Sequence, residues 1–230
     1  AMSAMAPGEF VEYVRGRFPR VRGFVVGADW RFGQGQAGDA GLLTRIAGLT
    51  GREVAVVPPV LYGDEKISSS RIRAALKRGD LEEAAAMLGR PFTVLGEVLH
   101  GRQIGRTLGA PTANLQPGGL NPLAPGSYAA RATVDGVTHP ASAYAGSRPT
   151  YQGDSPEYYV EVHLLDGAFD LYGREMTVEF LRFLRPEMKL RGPEELRQRI
   201  HADFAAARAY FAGASGHDKP QNQFPLQQAP

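Results

Sequence analysis

The sequence predicts an α+β chain in which an α/β segment, residues 1–90, precedes a β-rich domain, residues 91–212. Before Gly89-Arg90-Pro91, helical and strand-like apolar patterns alternate, which favours a parallel α/β arrangement. After this tripeptide, apolar runs with the two-residue period of strands are separated by glycine, proline and aspartate, as in an antiparallel barrel or sandwich. We therefore expect two halves of different architecture.

The composition is that of an ordinary globular protein without disulfides. Hydrophobic residues make up 43% and charged residues 22% of the 230 residues, and there is no cysteine. This excludes disulfides, thiolate catalysis and zinc–thiolate sites, and it favours a reducing cytoplasm. The formal net charge of +2 is too small to indicate a nucleic-acid or membrane partner. No apolar run approaches the ~20 residues of a membrane span, and no secretory signal is expected at the first residues. Oligomeric state stays open.

The front segment is predicted to alternate helices with two strands. Serine and aspartate mark the starts of the later helices, because their side chains accept hydrogen bonds from N–H groups of the first turn. The predicted strands are Val21–Asp29 and Glu53–Val60, and the predicted helices are Pro7–Phe18, Asp39–Leu49, one after Ser68–Ser70 and one from Asp80 to Gly89. Two strands are few for a complete doubly wound domain, so the segment is expected to be incomplete.

The second half is predicted to contain five clear strands and one long helix. The helix begins near Pro193, a favourable first-turn residue, and the polar tail of residues 213–230 is predicted to be disordered. The strands are Phe92–His100, Ser127–Val134, Val137–Ala143, Tyr158–Leu165 and Glu175–Leu184, and the apolar stripe of the helix is Leu196, Ile200, Phe204, Ala207 and Phe211.

A glycine-rich stretch, HGRQIGRTLGAPTANL at residues 100–115, is the most informative motif. Gly101, Gly105 and Gly109 would let backbone N–H groups surround an anion, and Arg106 would add positive charge. A bland alternative is a glycine-rich hairpin, because such motifs often match by chance.

The PTAN run, Pro111–Asn114, follows directly. The Thr112 hydroxyl and the Asn114 carbonyl are two residues apart, so they lie on the same side of an extended segment. Both are oxygen ligands of the kind that Mg²⁺ prefers. A turn that favours asparagine is the alternative.

Glu161 is the candidate catalytic carboxylate. It interrupts the strand YYVEVHLLD, where Val160 and Val162 are apolar, and it shares a face with Tyr159 and His163. A carboxylate there could accept the proton of a substrate hydroxyl. The alternative is a solvated outer strand face, with His163 structural or at most adjacent to the substrate.

Two arginines beside prolines complete the candidate set. Arg148 lies in the loop motif GSRPT, and Arg185 precedes Pro186 at the end of a strand. Taken alone, such charges most often form surface pairs of little energetic weight.

The order of these motifs resembles riboflavin kinase: a glycine loop into PTAN, then GSRPT, VEVH, DLYG and LRPE, over about Pro91–Phe211. The resemblance implies a six-stranded antiparallel barrel with a C-terminal helix. It also implies transfer of the γ-phosphoryl group of ATP to the ribityl 5′-hydroxyl of riboflavin, which gives FMN and ADP. A departure is Tyr144-Ala145-Gly146, where the family usually has Asn-Ile-Gly.

The resemblance implies a role for each candidate. Thr112 and Asn114 would hold Mg²⁺ and the nucleotide phosphates, next to Pro111, and Glu161 would be the general base. Arg185 would lie near the flavin. The nucleotide and substrate loops would contain Gly101, Gly105, Arg106, Gly109 and Arg148.

The front segment resembles the second part of the FMN adenylyltransferase module of bifunctional FAD synthetases. The matching stretches are GADWRFGQGQAGD and ISSSRIRAALKRGDLEEAAAMLGRPF, and the resemblance implies ATP-phosphate contacts from Ser68, Ser69, Arg71 and Arg73. A simple helix cap on a basic helix is the alternative. The module's His-x-Gly-His motif has no counterpart, since the first histidine is His100. We therefore expect a module truncated at its N-terminal side and no useful FAD synthesis.

Two further functions compete with the kinase. A flavin- or nucleotide-binding protein without turnover is plausible because the front segment is incomplete. A nucleic-acid-binding barrel is disfavoured by the small net charge and by the lack of a clustered aromatic and basic face.

Overall fold

The computed structural model describes residues 4–100, 111–115, 123–148, 157–167, 169, 171–214 and 227–228. These residues form two compact units: residues 4–67 with 227–228, and residues 68–214. The two units divide between residues 67 and 68, so residues 68–90 lie in the same compact unit as residues 91–214. The predicted boundary between modules near residue 90 stays a prediction.

The first unit is a small α/β layer. Strands β1 (Gly23–Gly27) and β4 (Glu53–Val57) pair in parallel, as the alternating pattern predicted. Helices α1 (Pro7–Arg17) and α2 (Ala40–Gly48) supply the rest of the layer. Asp39 caps α2 by accepting the Leu42 N–H at 2.7 Å.

An aromatic core holds this unit together. Val11, Phe32 and Leu43 are buried, and Phe10, Phe24 and Trp30 are among the partly buried residues that pack on them. The Trp30 and Phe32 rings stack with centroids 4.6 Å apart. A Cβ at Gly38 would lie 2.5 Å from the Phe32 ring, so only glycine fits there.

Short strands complete the first unit. β2 (Arg31–Phe32) pairs with β3 (Gly38–Asp39), and β5 (Val60–Tyr62) pairs with β6 (Glu65–Lys66). Most of the tail that was predicted to be disordered lies outside the described residues. Its described strand β13 (Gln227–Gln228) pairs with β5, which the sequence did not predict.

The second unit begins with a helical hairpin. Helices α3 (Ser69–Arg78) and α4 (Leu81–Leu88) are joined through Gly79, whose φ of 76° is left-handed. A Cβ at Gly79 would lie 2.7 Å from the Phe183 ring of the barrel. Glycine is therefore needed at this position for two reasons: the left-handed backbone that ends α3 and the close approach of the Phe183 ring.

A closed barrel of six antiparallel strands follows, as predicted. The order around the barrel is β10, β11, β8, β7, β12 and β9. The strands are β7 (Phe92–Leu99), β8 (Ala113–Leu115), β9 (Gly126–Val134), β10 (Val137–Arg148), β11 (Glu157–Leu164) and β12 (Glu175–Pro186). Within the described residues, each barrel strand pairs with a neighbour on both sides, which is how a closed barrel protects its strand edges.

The barrel core consists of alternate, inward-facing apolar residues. Tyr128 and Phe180 meet edge to face, with centroids 5.2 Å apart. Buried neighbours include Val94, Val98, Leu115, Val160, Val162, Met176 and Val178. Because side chains alternate along a strand, the residues between them point outward.

Helix α5 (Pro193–Ala214) packs on the outer side of β9 and β10. The predicted apolar stripe is the covered one: Phe204 and Ala207 are buried, and Leu196, Ile200 and Phe211 are partly buried. Ala129 of β9 and Ser142 of β10 lie opposite each other on these two strands, and both are small and buried. Among the described residues, no helix is long and apolar enough to cross a membrane.

Candidate active site

Three outward side chains form a row across adjacent strands. Glu161 of β11 lies directly opposite Asn114 of β8 and, on its other side, opposite Tyr144 of β10. Directly opposite residues in antiparallel strands have Cβ atoms about 4.5–5.5 Å apart. We call Asn114, Glu161 and Tyr144 the polar row; all three are partly buried.

The strand pattern places this row outside the barrel. Val160 and Val162 on either side of Glu161 are buried, as are Ala113 and Leu115 on either side of Asn114. The period of two therefore turns Glu161 and Asn114 to the same outer face. Glu161 interacts with further groups, so its carboxylate is not an isolated charge.

Thr112 stands beside the row. It precedes Asn114 by two residues and is partly buried, whereas Pro111 is exposed. The Pro111 carbonyl accepts a hydrogen bond from His163, with Nδ1 and O 2.8 Å apart. The structure thus brings together four of the predicted site residues: Pro111, Thr112, Asn114 and Glu161.

His163 is held from two sides. Its ring stacks on Phe204 of α5, with centroids 3.8 Å apart and planes 9° apart. Because a carbonyl can only accept, Nδ1 carries the hydrogen. Burial lowers the pKa of His163 below its ordinary value of 6.5. The hydrogen bond to Pro111 acts in the opposite direction but is the smaller effect, and the charges of Arg208 and His201 lower the pKa further.

Tyr144 links the row to the end of β12. Its hydroxyl donates to a Glu187 carboxylate oxygen at 2.7 Å. Burial, and then the bond to Glu187, raise the pKa of Tyr144 above its usual range, so the phenol stays protonated. The centroids of the Tyr144 and Tyr159 rings are 6.2 Å apart. A Cβ at Gly146 would lie 2.8 Å from Tyr159 and 2.9 Å from Tyr144. Glycine leaves room for both rings.

Arg185 forms a bidentate pair with Asp203 of α5. Nε to Oδ1 measures 2.8 Å and Nη2 to Oδ2 measures 2.6 Å. The two side chains are only 17% and 12% exposed. Arg185 is therefore an internal link between β12 and α5, rather than the weak surface pair that sequence alone favoured.

The start of α3 behaves as a capped helix. The Ser68 hydroxyl accepts the Arg71 N–H at 3.2 Å, and the Arg71 guanidinium lies 3.5 Å from Glu83. Ser69 is the first helical residue, and Arg73 is exposed. This fits the simple-cap alternative and leaves the predicted phosphate contacts untested.

Several predicted residues lie outside the description. Arg148 ends β10, and only its backbone is described. The glycine-loop candidates are Gly101, Gly105, Arg106 and Gly109, and they fall outside the described residues.

Sequence reasoning assigned no site role to three contributors, although one of them, Glu187, lies in the LRPE motif. Asp203, Phe204 and Glu187 each reach the site through a partner far away in the chain. Phe204 was predicted only as part of the helix stripe, and Asp203 beside it carried no signal.

The closed barrel and its C-terminal helix define an antiparallel β-barrel domain with one covering helix, and the polar row lies on its outer face. The chain belongs to the riboflavin kinase family, since the family model described as "Flavokinase: Riboflavin kinase" matches residues 88–211. A second model, FAD synthetase, matches residues 1–71. The predicted resemblance to both is confirmed.

Curated relatives named bifunctional riboflavin kinase/FMN adenylyltransferase match most of the chain. Those of Pseudomonas fluorescens and Listeria monocytogenes are each 38% identical and cover 94% and 82% of this chain. The Escherichia coli K12 relative is 35% identical and covers 91%. The chain spans 69%, 60% and 66% of these relatives, respectively.

A solved structure has a similar fold. The crystal structure named a macrolide-efflux protein from Streptococcus pneumoniae matches with a TM-score of 0.69 and 32% identity. The match covers 90% of this chain and 66% of that one.

Proposed function

We propose that this member of the riboflavin kinase family transfers the γ-phosphoryl group of ATP to the ribityl 5′-hydroxyl of riboflavin, giving FMN and ADP. One observation carries the proposal: on the outer face of the barrel, Glu161 lies directly opposite Asn114, which comes two residues after Thr112. A carboxylate thus faces an amide oxygen on the neighbouring strand, and a hydroxyl-bearing residue directly precedes that strand. Phosphoryl transfer requires mainly such alignment and charge neutralisation.

Glu161 serves as the general base. As the 5′-oxygen of riboflavin forms its new bond to the γ-phosphorus, its proton passes to the Glu161 carboxylate. The bond between the γ-phosphorus and the β–γ bridging oxygen breaks, and ADP leaves with that oxygen. A base positioned in this way contributes about 10²–10⁴-fold in rate.

Thr112 and Asn114 fit an Mg²⁺ ion that accompanies ATP. Their oxygens are hard, neutral donors, and Mg²⁺ is commonly held by few protein ligands together with substrate phosphates and waters. No cluster of three or more His, Asp or Glu ligands occurs within the described residues. When bound, the ion would neutralise charge on the transferred phosphate. The residues' own task is to orient the nucleotide against Glu161.

The remaining candidates support substrate binding. Arg185 is oriented by Asp203 and stays our candidate for the flavin end of the site. Arg148 and the loop of Gly101, Gly105, Arg106 and Gly109 are proposed to cover the substrates and phosphates. Backbone N–H groups of glycine-rich loops favour anions.

The front segment is proposed as part of an adenylyltransferase module. Its similarity to FAD synthetase supports this, and Ser68, Ser69, Arg71 and Arg73 stay candidates for ATP contacts. The bifunctional activity belongs to relatives longer than this chain, and our expectation of no FAD synthesis stays a prediction. A cytoplasmic location likewise stays a prediction.

One assay tests the kinase. The protein is incubated with ATP, Mg²⁺ and riboflavin, and FMN and FAD are separated by chromatography. FMN formation dependent on ATP is the expected result. Tight riboflavin binding without FMN would instead favour the binding protein without turnover. The efflux name of the structural neighbour predicts neither outcome.

A further inference from the structure

His163 joins three elements of the second unit at one point. It stands on β11, two residues after Glu161 and on the same outer face. Its ring packs flat on Phe204 of α5, and its Nδ1–H reaches the Pro111 carbonyl ahead of β8. None of the roles assigned above uses this side chain.

The bond to Pro111 acts where strand pairing stops. Between β8 and β11, the paired residues run from Leu115–Val160 to Ala113–Val162. Thr112 lies one residue beyond the last pair, and the Pro111 carbonyl belongs to the peptide that links Pro111 to Thr112. The His163 bond therefore extends the connection between the two strands by one further step.

We propose that His163 is a positioning residue: through the Pro111 carbonyl it fixes where Thr112 stands relative to Asn114 and Glu161. The inference rests on the proposed function, because it assigns Thr112 to the nucleotide. When alignment limits the rate, a misplacement of a reacting group by about 1 Å can lower that rate about 10²-fold. A hydrogen bond at this peptide can therefore matter more for the reaction than for folding.

The geometry separates this role from simple packing. Pro111 is exposed, so water can replace the lost donor at its carbonyl, and the effect on stability should be small. Phe204 is buried, so the stack contributes to the attachment of α5. The hydrogen bond and the stack can thus be removed separately.

Two substitutions at His163 remove the hydrogen bond and the ring stack separately. His163→Phe keeps an aromatic ring on Phe204 but has no donor. His163→Asn loses the ring but places an amide N–H where Nδ1–H stood. His139→Gln serves as the control, because His139 is a histidine of β10 that pairs with Asp166 and not with the Pro111 carbonyl.

Kinetics and hydrogen exchange provide the readouts. For His163→Phe we expect the KM for Mg-ATP to rise about tenfold, since one neutral hydrogen bond contributes about that factor, with the KM for riboflavin changed less than twofold. Amide exchange in a peptide containing Thr112–Leu115 should become faster, and the melting temperature should stay near that of the parent. His163→Asn should restore most of the KM and the exchange protection. The His139→Gln control should change none of these quantities.

Each result decides something. If both His163 variants shift KM, exchange and melting temperature together, the residue only packs, and the proposal is wrong. An unchanged KM and exchange rate in His163→Phe would also overturn it. If the parent protein forms no FMN, the proposed function fails. The exchange measurement, together with calorimetric binding of Mg-ADP, then still tests whether His163 positions Thr112.

Discussion

Two parts of the second unit were predicted to contact ATP, and they differ in what their polar groups already bind. At the start of α3, the Ser68 hydroxyl is taken by the Arg71 N–H, and the Arg71 side chain faces Glu83. In the barrel, Asn114 and Glu161 face each other from separate strands. The first arrangement is that of an ordinary helix cap, which stabilises the helix. The second places a carboxylate beside an amide, and this has no evident advantage for folding.

The two motifs differ in how strongly they indicate a function. Serine before a basic helix is common because the cap itself stabilises the helix. A carboxylate opposite an asparagine is not required by strand propensity, since both residues are depleted or neutral in strands. The barrel site therefore carries the stronger functional inference, and substitutions there should change activity more than substitutions at the start of α3.

The largest effect is expected at Glu161. Glu161→Gln keeps the shape but removes the proton acceptor, so kcat for FMN formation should fall about 10²-fold or more, with riboflavin binding retained. Glu175→Gln is the control, because Glu175 is an exposed carboxylate on β12, which lies three strands from β11 in either direction. Turnover near the parental value would remove Glu161 from the mechanism.

The next effect is expected at the proposed metal ligand. Thr112→Ala removes a hydroxyl oxygen, and interactions with charged groups contribute about 1.5–3 kcal/mol, so the KM for Mg-ATP should rise about 10- to 100-fold. Titrating Mg²⁺ at fixed ATP measures the same loss. Thr138→Ala is the control, since the Thr138 hydroxyl contacts Thr133 at the exposed β9–β10 turn. Unchanged metal dependence in Thr112→Ala would contradict the role.

The sequence predicted those parts of the fold and of the site whose pattern lies within a few neighbouring residues. The valines on either side of Glu161 placed it on the opposite strand face from them, together with Tyr159 and His163, and five of the six barrel strands followed from alternation. Strand β8 has only three residues, too few to show a period of two, so only the family resemblance indicated a sixth strand.

The partners across the site could not be predicted from local patterns. Register between β8 and β11 is set by the closed barrel and decides that Asn114 faces Glu161. The Tyr144–Glu187 bond spans 43 positions and the Arg185–Asp203 pair spans 18. The local sequence predicted that Arg185 is a surface charge, because helix α5, which covers this side chain, begins only several residues later.

The Arg185–Asp203 pair is expected to affect stability more than any helix cap. Asp203→Asn leaves Arg185 mostly buried without its counter-charge. Breaking a fully buried pair costs about 3–5 kcal/mol; with the residual exposure of this pair we expect a loss of about 1–3 kcal/mol in the free energy of unfolding. Urea denaturation measures it. The exposed pair Arg197–Glu194 provides the control, and Glu194→Gln should change little. Equal effects of the two variants would mean that Arg185–Asp203 is not an internal link.

At the start of α3, the Ser68 cap predicts a small effect on stability. Ser68→Ala should lower the free energy of unfolding by about 1 kcal/mol, because the Arg71 N–H loses its acceptor. Ser69→Ala, one residue into the helix, is the matched control and should be close to neutral. A stability unchanged by Ser68→Ala, together with weaker ATP binding, would instead favour the phosphate-contact alternative.

The smallest effect is a pH dependence from His163. Burial lowers the pKa of this imidazole in the folded protein below the 6.5 of an unfolded chain. Between the two pKa values the unfolded state binds more protons, so the free energy of unfolding falls as the pH drops through 6.5 toward the lower, folded value. Above 6.5 the contribution is fully present. Comparing urea denaturation of the parent and of His163→Asn at pH values on both sides of 6.5 isolates this contribution, because asparagine does not titrate. Parallel curves for the two proteins would contradict it, and they would mean that His163 is as easily protonated in the fold as in the unfolded chain.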